Sequence, residues 1–166
     1  RRAVRTKRKL MSTIKIVMYS KEYREALKEV LIKFSQELFG AGTVRIDEFI
    51  DYHWCVYLAM KDGKVIGFTS FTFNTYYGLR PPTVGNDYNY VLPEYRGGRA
   101  MYLLSIQAGM VSVENNLPLE HYYASEATRR LSRKMTGVKA YEAYIYDVEE
   151  VRRIYIKLLT KVKFKD

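Results

Sequence analysis

The chain has 166 residues, 48% of them aliphatic or aromatic, and a net charge of +10. That length suits one domain and that apolar share an ordinary globular core, while no apolar run nears the ~20 residues that span a bilayer. The single cysteine, Cys55, excludes an internal disulfide framework and a CxxC zinc pattern, and the two histidines, His53 and His121, are too few and isolated for a metal site. No secretory signal pattern appears, and the chain reads as cytoplasmic.

The charge is uneven. Residues 1–10 hold six cations (Arg1, Arg2, Arg5, Lys7, Arg8, Lys9) and no acid, which leaves +4 on the other 156 residues. Residues 1–11 therefore read as a basic arm for nucleic acid or another acidic surface, or as a solvated tail, ahead of a domain over 12–166. Position 1 is not Met, and Met11 is a candidate start.

In chain order, Ser12–Tyr19 alternates apolar residues as a strand. Ser20 is placed to cap a helix with Tyr23, Leu27, Val30, Leu31, Phe34 and Leu38 on its inner face, stopped by Gly40. Val44–His53 reads as a short helix around Phe49. Trp54–Met60 and Val65–Phe73 read as a hairpin across Asp62-Gly63. Asn74–Pro82 is a loop, and Asn86–Val91 a strand that turns at Pro93. Gly98–Asn115 is a helix apolar on two faces, hence buried on both. Leu117–Ser125 holds another strand, Glu126–Met135 a basic helix, and Val138–Tyr146 a last strand. Asp147 caps a final helix with Glu150 as its reciprocal partner. The order predicts a single mixed α/β (α+β) domain, with an antiparallel meander followed by βαβ units.

The central stretch is Tyr90–Leu104: an apolar strand end, a Gly-Gly loop flanked by Arg96 and Arg99, and then a helix. Loop and helix start present unpaired N–H groups and a positive dipole end, a setting that receives phosphate. With the surrounding order it resembles the GCN5-related N-acetyltransferase (GNAT) superfamily over about Ile14–Tyr146. Val91-Leu92-Pro93 matches the family's strand end. Tyr95-Arg96-Gly97-Gly98-Arg99-Ala100 matches its phosphate loop, with Gly98 and Ala100 in the small-residue positions and Tyr95 where the family prefers Arg or Gln. Ser125–Val138 is similar to a second family segment, but has one extra residue, Thr136. Ser132 stands there in place of the family's usual tyrosine acid.

The resemblance implies a mostly antiparallel twisted sheet of about six strands flanked by helices, and acetyl-CoA as co-substrate. It implies cofactor contacts at Tyr90, Val91, Leu92, Arg96, Gly97, Gly98, Arg99 and Ala100, and acetyl transfer to a primary amine without a metal. Backbone N–H groups of residues 96–100 would hold the diphosphate, and an N–H near Val91 the oxyanion. Asp87 is the first candidate base; by strand alternation 87, 89 and 91 share one face. Glu94, Glu120 and His121 are alternatives. Tyr123 or Tyr122, or more weakly Ser132, would return the proton. Arg129, Arg130, Arg133 and Lys134 form a basic ridge, and Phe73–Gly78 an aromatic loop for the acceptor. The alternative is a degenerate GNAT-fold component of a larger, nucleic-acid-associated assembly; a relative that modifies nucleic acid, and a phage origin, also fit this compact chain. The acceptor is an amine of unnamed class, and a homo-oligomer is open.

Overall fold

A computed structural model describes residues 13–75, 81–122, 130, 143–146, 149, 151–153 and 155–156. Its elements are β1 (Lys15–Met18), α1 (Arg24–Phe39), α2 (Ile46–Tyr52), β2 (Cys55–Lys61), β3 (Lys64–Asn74), β4 (Thr83–Val91), α3 (Ala100–Asn115), β5 (Leu119–Tyr122) and β6 (Ala143–Tyr146). The strands form one six-stranded sheet in sequence order. β1 to β4 are an antiparallel meander, β5 lies parallel to β4, and β6 is antiparallel to β5. Only β4–α3–β5 is thus a βαβ unit; the second unit expected from the sequence is replaced by an antiparallel return. The basic arm, the 126–135 helix (apart from Arg130) and the Asp147–Glu150 capping pair lie outside the described residues.

Helix α1 buries Leu27, Val30, Leu31 and Phe34, the stripe that its 3.6-residue spacing dictates. Ser20 does not cap it. The Ser20 hydroxyl donates to Glu22 at 3.0 Å instead, and a 3-10 turn, Lys21–Tyr23, precedes the helix. Gly40 ends α1 in the left-handed conformation, as predicted. Phe34 is the hub of this face, with edge-to-face contacts to Phe68 at 5.3 Å, Tyr88 at 5.0 Å and Tyr90 at 5.3 Å. Helix α3 covers the opposite face, where Ala100 and Leu104 pack on Ala59, Ile66 and Val91, and Ile106, Ala108 and Val111 on Phe71, Val84 and Leu119.

The register of β3 and β4 shifts once. Ser70 pairs with Tyr88 and Phe71 with Asn86, so Asp87 is an extra residue in β4. Such a bulge bends its strand and resets which face each side chain takes. Residues 87, 89 and 91 therefore do not share a face. Asp87 contacts His53 and Thr72 on the α1–α2 side, which Tyr88 and Tyr90 also face. Asn89 bonds Asn86, and Val91 packs under α3. Pairing of β4 with β5 covers only Val84–Asn86, so among the described residues the sheet opens at the bulge.

Replacing Phe34 by Ala leaves a void at the meeting point of three elements. It should cost about 3–5 kcal/mol, read as a lower urea midpoint with unchanged slope.

Candidate functional site

The site lies where the open edge of β4 meets the start of α3. The Leu92 N–H donates to Ile66 on β3 at 2.9 Å. Strand alternation then turns the N–H groups of Asn89 and Val91 to the other, open side. The chain next makes a 3-10 turn, Pro93–Tyr95, in which Tyr95 and Arg96 donate back to Leu92 and Pro93. Gly97 follows with φ +77°, a conformation that glycine adopts without strain. The first intrahelical bond of α3 runs from Leu103 to Arg99. The N–H groups of Ala100, Met101 and Tyr102 thus precede any helical acceptor. No side chain caps α3, and its first turn holds no acid. The positive end of the dipole is left uncompensated beside an exposed Gly97-Gly98-Arg99 loop.

The loop is braced from α1. Arg96 makes two bonds to Glu37, at 2.7 and 2.6 Å, and its Nε donates to the Val91 carbonyl at 2.9 Å. The Tyr90 hydroxyl donates to the same carboxylate at 2.9 Å. The Arg96 guanidinium, with its Tyr90 hydrogen bond behind it, holds the Glu37 carboxyl below its usual range despite the opposing effect of burial. Burial, then the Glu37 bond, pushes the Tyr90 phenol up to about 12. Both Arg96 side chain and Arg96 N–H are thus engaged within the protein, and the exposed residues Gly97, Gly98 and Arg99 follow it into the helix start. Ala100 itself is fully buried in a cluster with Val91. Val91 and Leu92 are buried as well, so they offer backbone rather than side-chain groups.

Asp87 stands at the bulge, its side chain 14% exposed. Its Oδ1 accepts from the Thr72 hydroxyl at 3.1 Å, and His53 Nε2 lies 3.4 Å from its Oδ2. Beside it Gly85 leaves room for this cluster: a Cβ there would lie 2.6 Å from Thr72 Oγ1 and 2.7 Å from Asn74 Nδ2. Buried Glu120 accepts from Thr83 at 2.9 Å and from Asn74 at 3.3 Å. The α1–α2 face of the sheet is apolar where α1 covers it and polar from Asp87 to Glu120.

The remaining candidates separate. Glu94 is exposed and ion-paired to Lys33 at 3.5 Å. Burial lowers His121 to about 4, so it is neutral at physiological pH. Burial pushes the half-buried Cys55 thiol up to about 11, which removes it as a nucleophile. Tyr122 lies on β5, while Tyr123 and Ser132 lie outside the described residues. Of the basic ridge only Arg130 is described, exposed on a helix, and of the aromatic loop Phe73 packs beside Trp54 at 6.1 Å. Sequence reasoning missed Glu37, Thr72, Gly85 and the pairing of His53. No local pattern marks them, since each meets its partner across the fold.

No family model matches the sequence, and no curated protein matches it. The fold is that of the GNAT acetyltransferases. A GNAT-family acetyltransferase from Staphylococcus aureus Mu50 superposes with a TM-score of 0.61 at 14% identity, over 75% of this chain and 84% of that one. A ribosomal-protein-alanine N-acetyltransferase from Brucella melitensis biovar Abortus 2308 gives 0.64 at 16%, over 80% and 96%. AtaTR bound with acetyl-CoA gives 0.65 at 9%, over 86% and 98%.

Glu37→Gln tests the brace. A carboxyl held low in the folded state adds stability that is present above its ordinary value of 4.5 and lost as pH falls below it. Because the pair is about two-fifths exposed, the variant should be only slightly less stable at neutral pH and show a slightly shallower loss on acidification from there, measured as urea midpoints across pH.

Proposed function

We propose that the protein is an N-acetyltransferase that moves an acetyl group from acetyl-CoA to a primary amine by direct attack. The observation that carries this reading is the juxtaposition of an open β4 edge with an uncapped α3 start that has no acid in its first turn. The open edge suits an amide-bearing arm, and the helix start suits its diphosphate. Acetyl-CoA supplies the activated thioester. The N–H groups of Gly97–Met101 hold the diphosphate, with Arg99 beside them. The N–H of Val91, fixed because Arg96 holds its carbonyl, stabilises the oxygen as it gains charge. Asp87 takes the amine's proton, and Tyr123 or Ser132 gives one to the departing thiolate. Tyr90 and Leu92 act from the core, holding the strand end in place.

Acetyl-CoA should raise the melting temperature, by about 2.7 kcal/mol of stability at a hundred times its Kd. Gly98→Glu should abolish that rise. Gly98 is exposed, and an added Cβ would only touch the Tyr95 carbonyl at 3.6 Å, so the fold survives while a carboxylate enters the anion site. A melting temperature that acetyl-CoA never moves would defeat the reading.

The six cations of residues 1–10 favour a second function beside the first, contact with nucleic acid. Binding of duplex DNA or RNA should weaken steeply with salt and disappear when residues 1–10 are deleted. Equal binding by the truncated chain would exclude the arm.

A further inference from the structure

His53 is the buried titratable group that this mechanism leaves unused. It ends α2 in an extended conformation, and its side chain is 2% exposed. Nδ1 lies 2.7 Å from the Phe49 carbonyl oxygen. A carbonyl only accepts, so Nδ1 carries the hydrogen and the neutral ring keeps its lone pair on Nε2. Nε2 is buried without a hydrogen-bond partner and faces Asp87 Oδ2 at 3.4 Å. Two acceptors thus face each other across a gap slightly longer than a hydrogen bond. A proton between them satisfies both.

The surroundings hold the pair in register. Thr72 occupies Oδ1 and so turns Oδ2 toward the ring. The rings of Phe49, Tyr52 and Tyr88 stand 4.3, 5.0 and 6.0 Å from the imidazole. Burial, then the charge of Asp87, pushes the Tyr88 phenol up, so it stays neutral. Among the described residues, the titratable groups facing the ring are therefore Asp87 and Tyr88 from β4 and Tyr52 from α2.

We propose that His53 and Asp87 form a one-proton store at the point where the sheet opens, with His53 the positioning residue behind Asp87. Its catalytic use rests on the acetyl-transfer reading. An incoming ammonium gives a proton to Asp87, which passes it to Nε2. The amine nitrogen regains the lone pair that attacks the thioester carbonyl, and the store becomes a carboxylate–imidazolium pair. One positive charge moves from amine to imidazole, and no further reactant is needed.

The full chain has two histidines, so nitrogen-15 imidazole NMR separates them, and His121 stays neutral above about 5 because burial holds it at about 4. His53 should show the Nδ1–H tautomer at alkaline pH and gain a proton on Nε2 as pH falls. Asp87→Asn, which takes away the carboxylate facing Nε2, should lower the ratio of protonated to neutral imidazole at a fixed pH. Thr72→Val, which frees Oδ1, should raise it. An Nε2–H tautomer, or a ratio that neither substitution moves, overturns the store. A melting shift with acetyl-CoA alongside an unmoved ratio sinks the store alone. A moved ratio without any acetyl-CoA shift sinks its catalytic use together with the acetyl-transfer reading.

Discussion

One extra residue in β4 organises the molecule. The bulge at Asp87 sits where parallel pairing with β5 stops. Before it, β4 is a central strand with partners on both edges. Beyond it, among the described residues, the strand is bonded to β3 on one edge alone. The same residue resets the faces, so that Asp87 joins Tyr88 above the α1–α2 side while Asn89 and Val91 turn under α3. An open row of backbone donors and an inward carboxylate thus arise from a single irregularity. Neither would survive if β4 ran straight and stayed paired to its end.

The open edge needs support that a paired strand would get from its neighbour. Glu37 and Arg96 supply it from outside the sheet, linking the last turn of α1, the Val91 carbonyl and the loop before α3. Two bonds from one guanidinium fix direction as well as distance. With side chains about two-fifths exposed, the pair adds little net stability. Its value is in geometry: it binds the loop arginine internally and, in the proposed reaction, leaves the anion to backbone groups, which hold their positions better than a long side chain.

The order of elements was legible because each periodic stretch ended in a residue with its own backbone chemistry: Gly40 in the left-handed region, Asp62-Gly63 in the hairpin, Pro93 at the turn. The strand–loop–helix around Gly97 was legible for the same local reason. What stayed hidden is non-local. Strict alternation put Asp87 on the face of Val91, because a bulge leaves no mark in a run of polar and aromatic residues. Arg96 read as a cofactor contact with no sign of its internal partner, because Glu37 lies 59 residues away. His53 read as isolated, because its partner is 34 positions downstream in sequence yet 3.4 Å away in space. Ser20 misled for the opposite reason: a nearer carboxylate, Glu22, took its hydroxyl.

The fold carries many acceptors on one frame, so acceptor choice has to come from the parts of the sheet the helices leave bare. On the α1–α2 side that bare part is polar: Thr72, Asn74, Thr83, Asp87 and Glu120 converge around Gly85, whose missing Cβ gives them the space. In the proposed reaction the Asp87 carboxylate at the open end of this group favours a positively charged acceptor over a neutral or anionic one. A protonated amine is attracted by the same carboxylate that must then remove its proton. In the proposed reaction, recognition and activation thereby fall on one residue, Asp87. The proposed store behind it, a buried imidazole with its lone pair on Nε2, would let that residue give up the proton it has taken and return to its charged, amine-binding form.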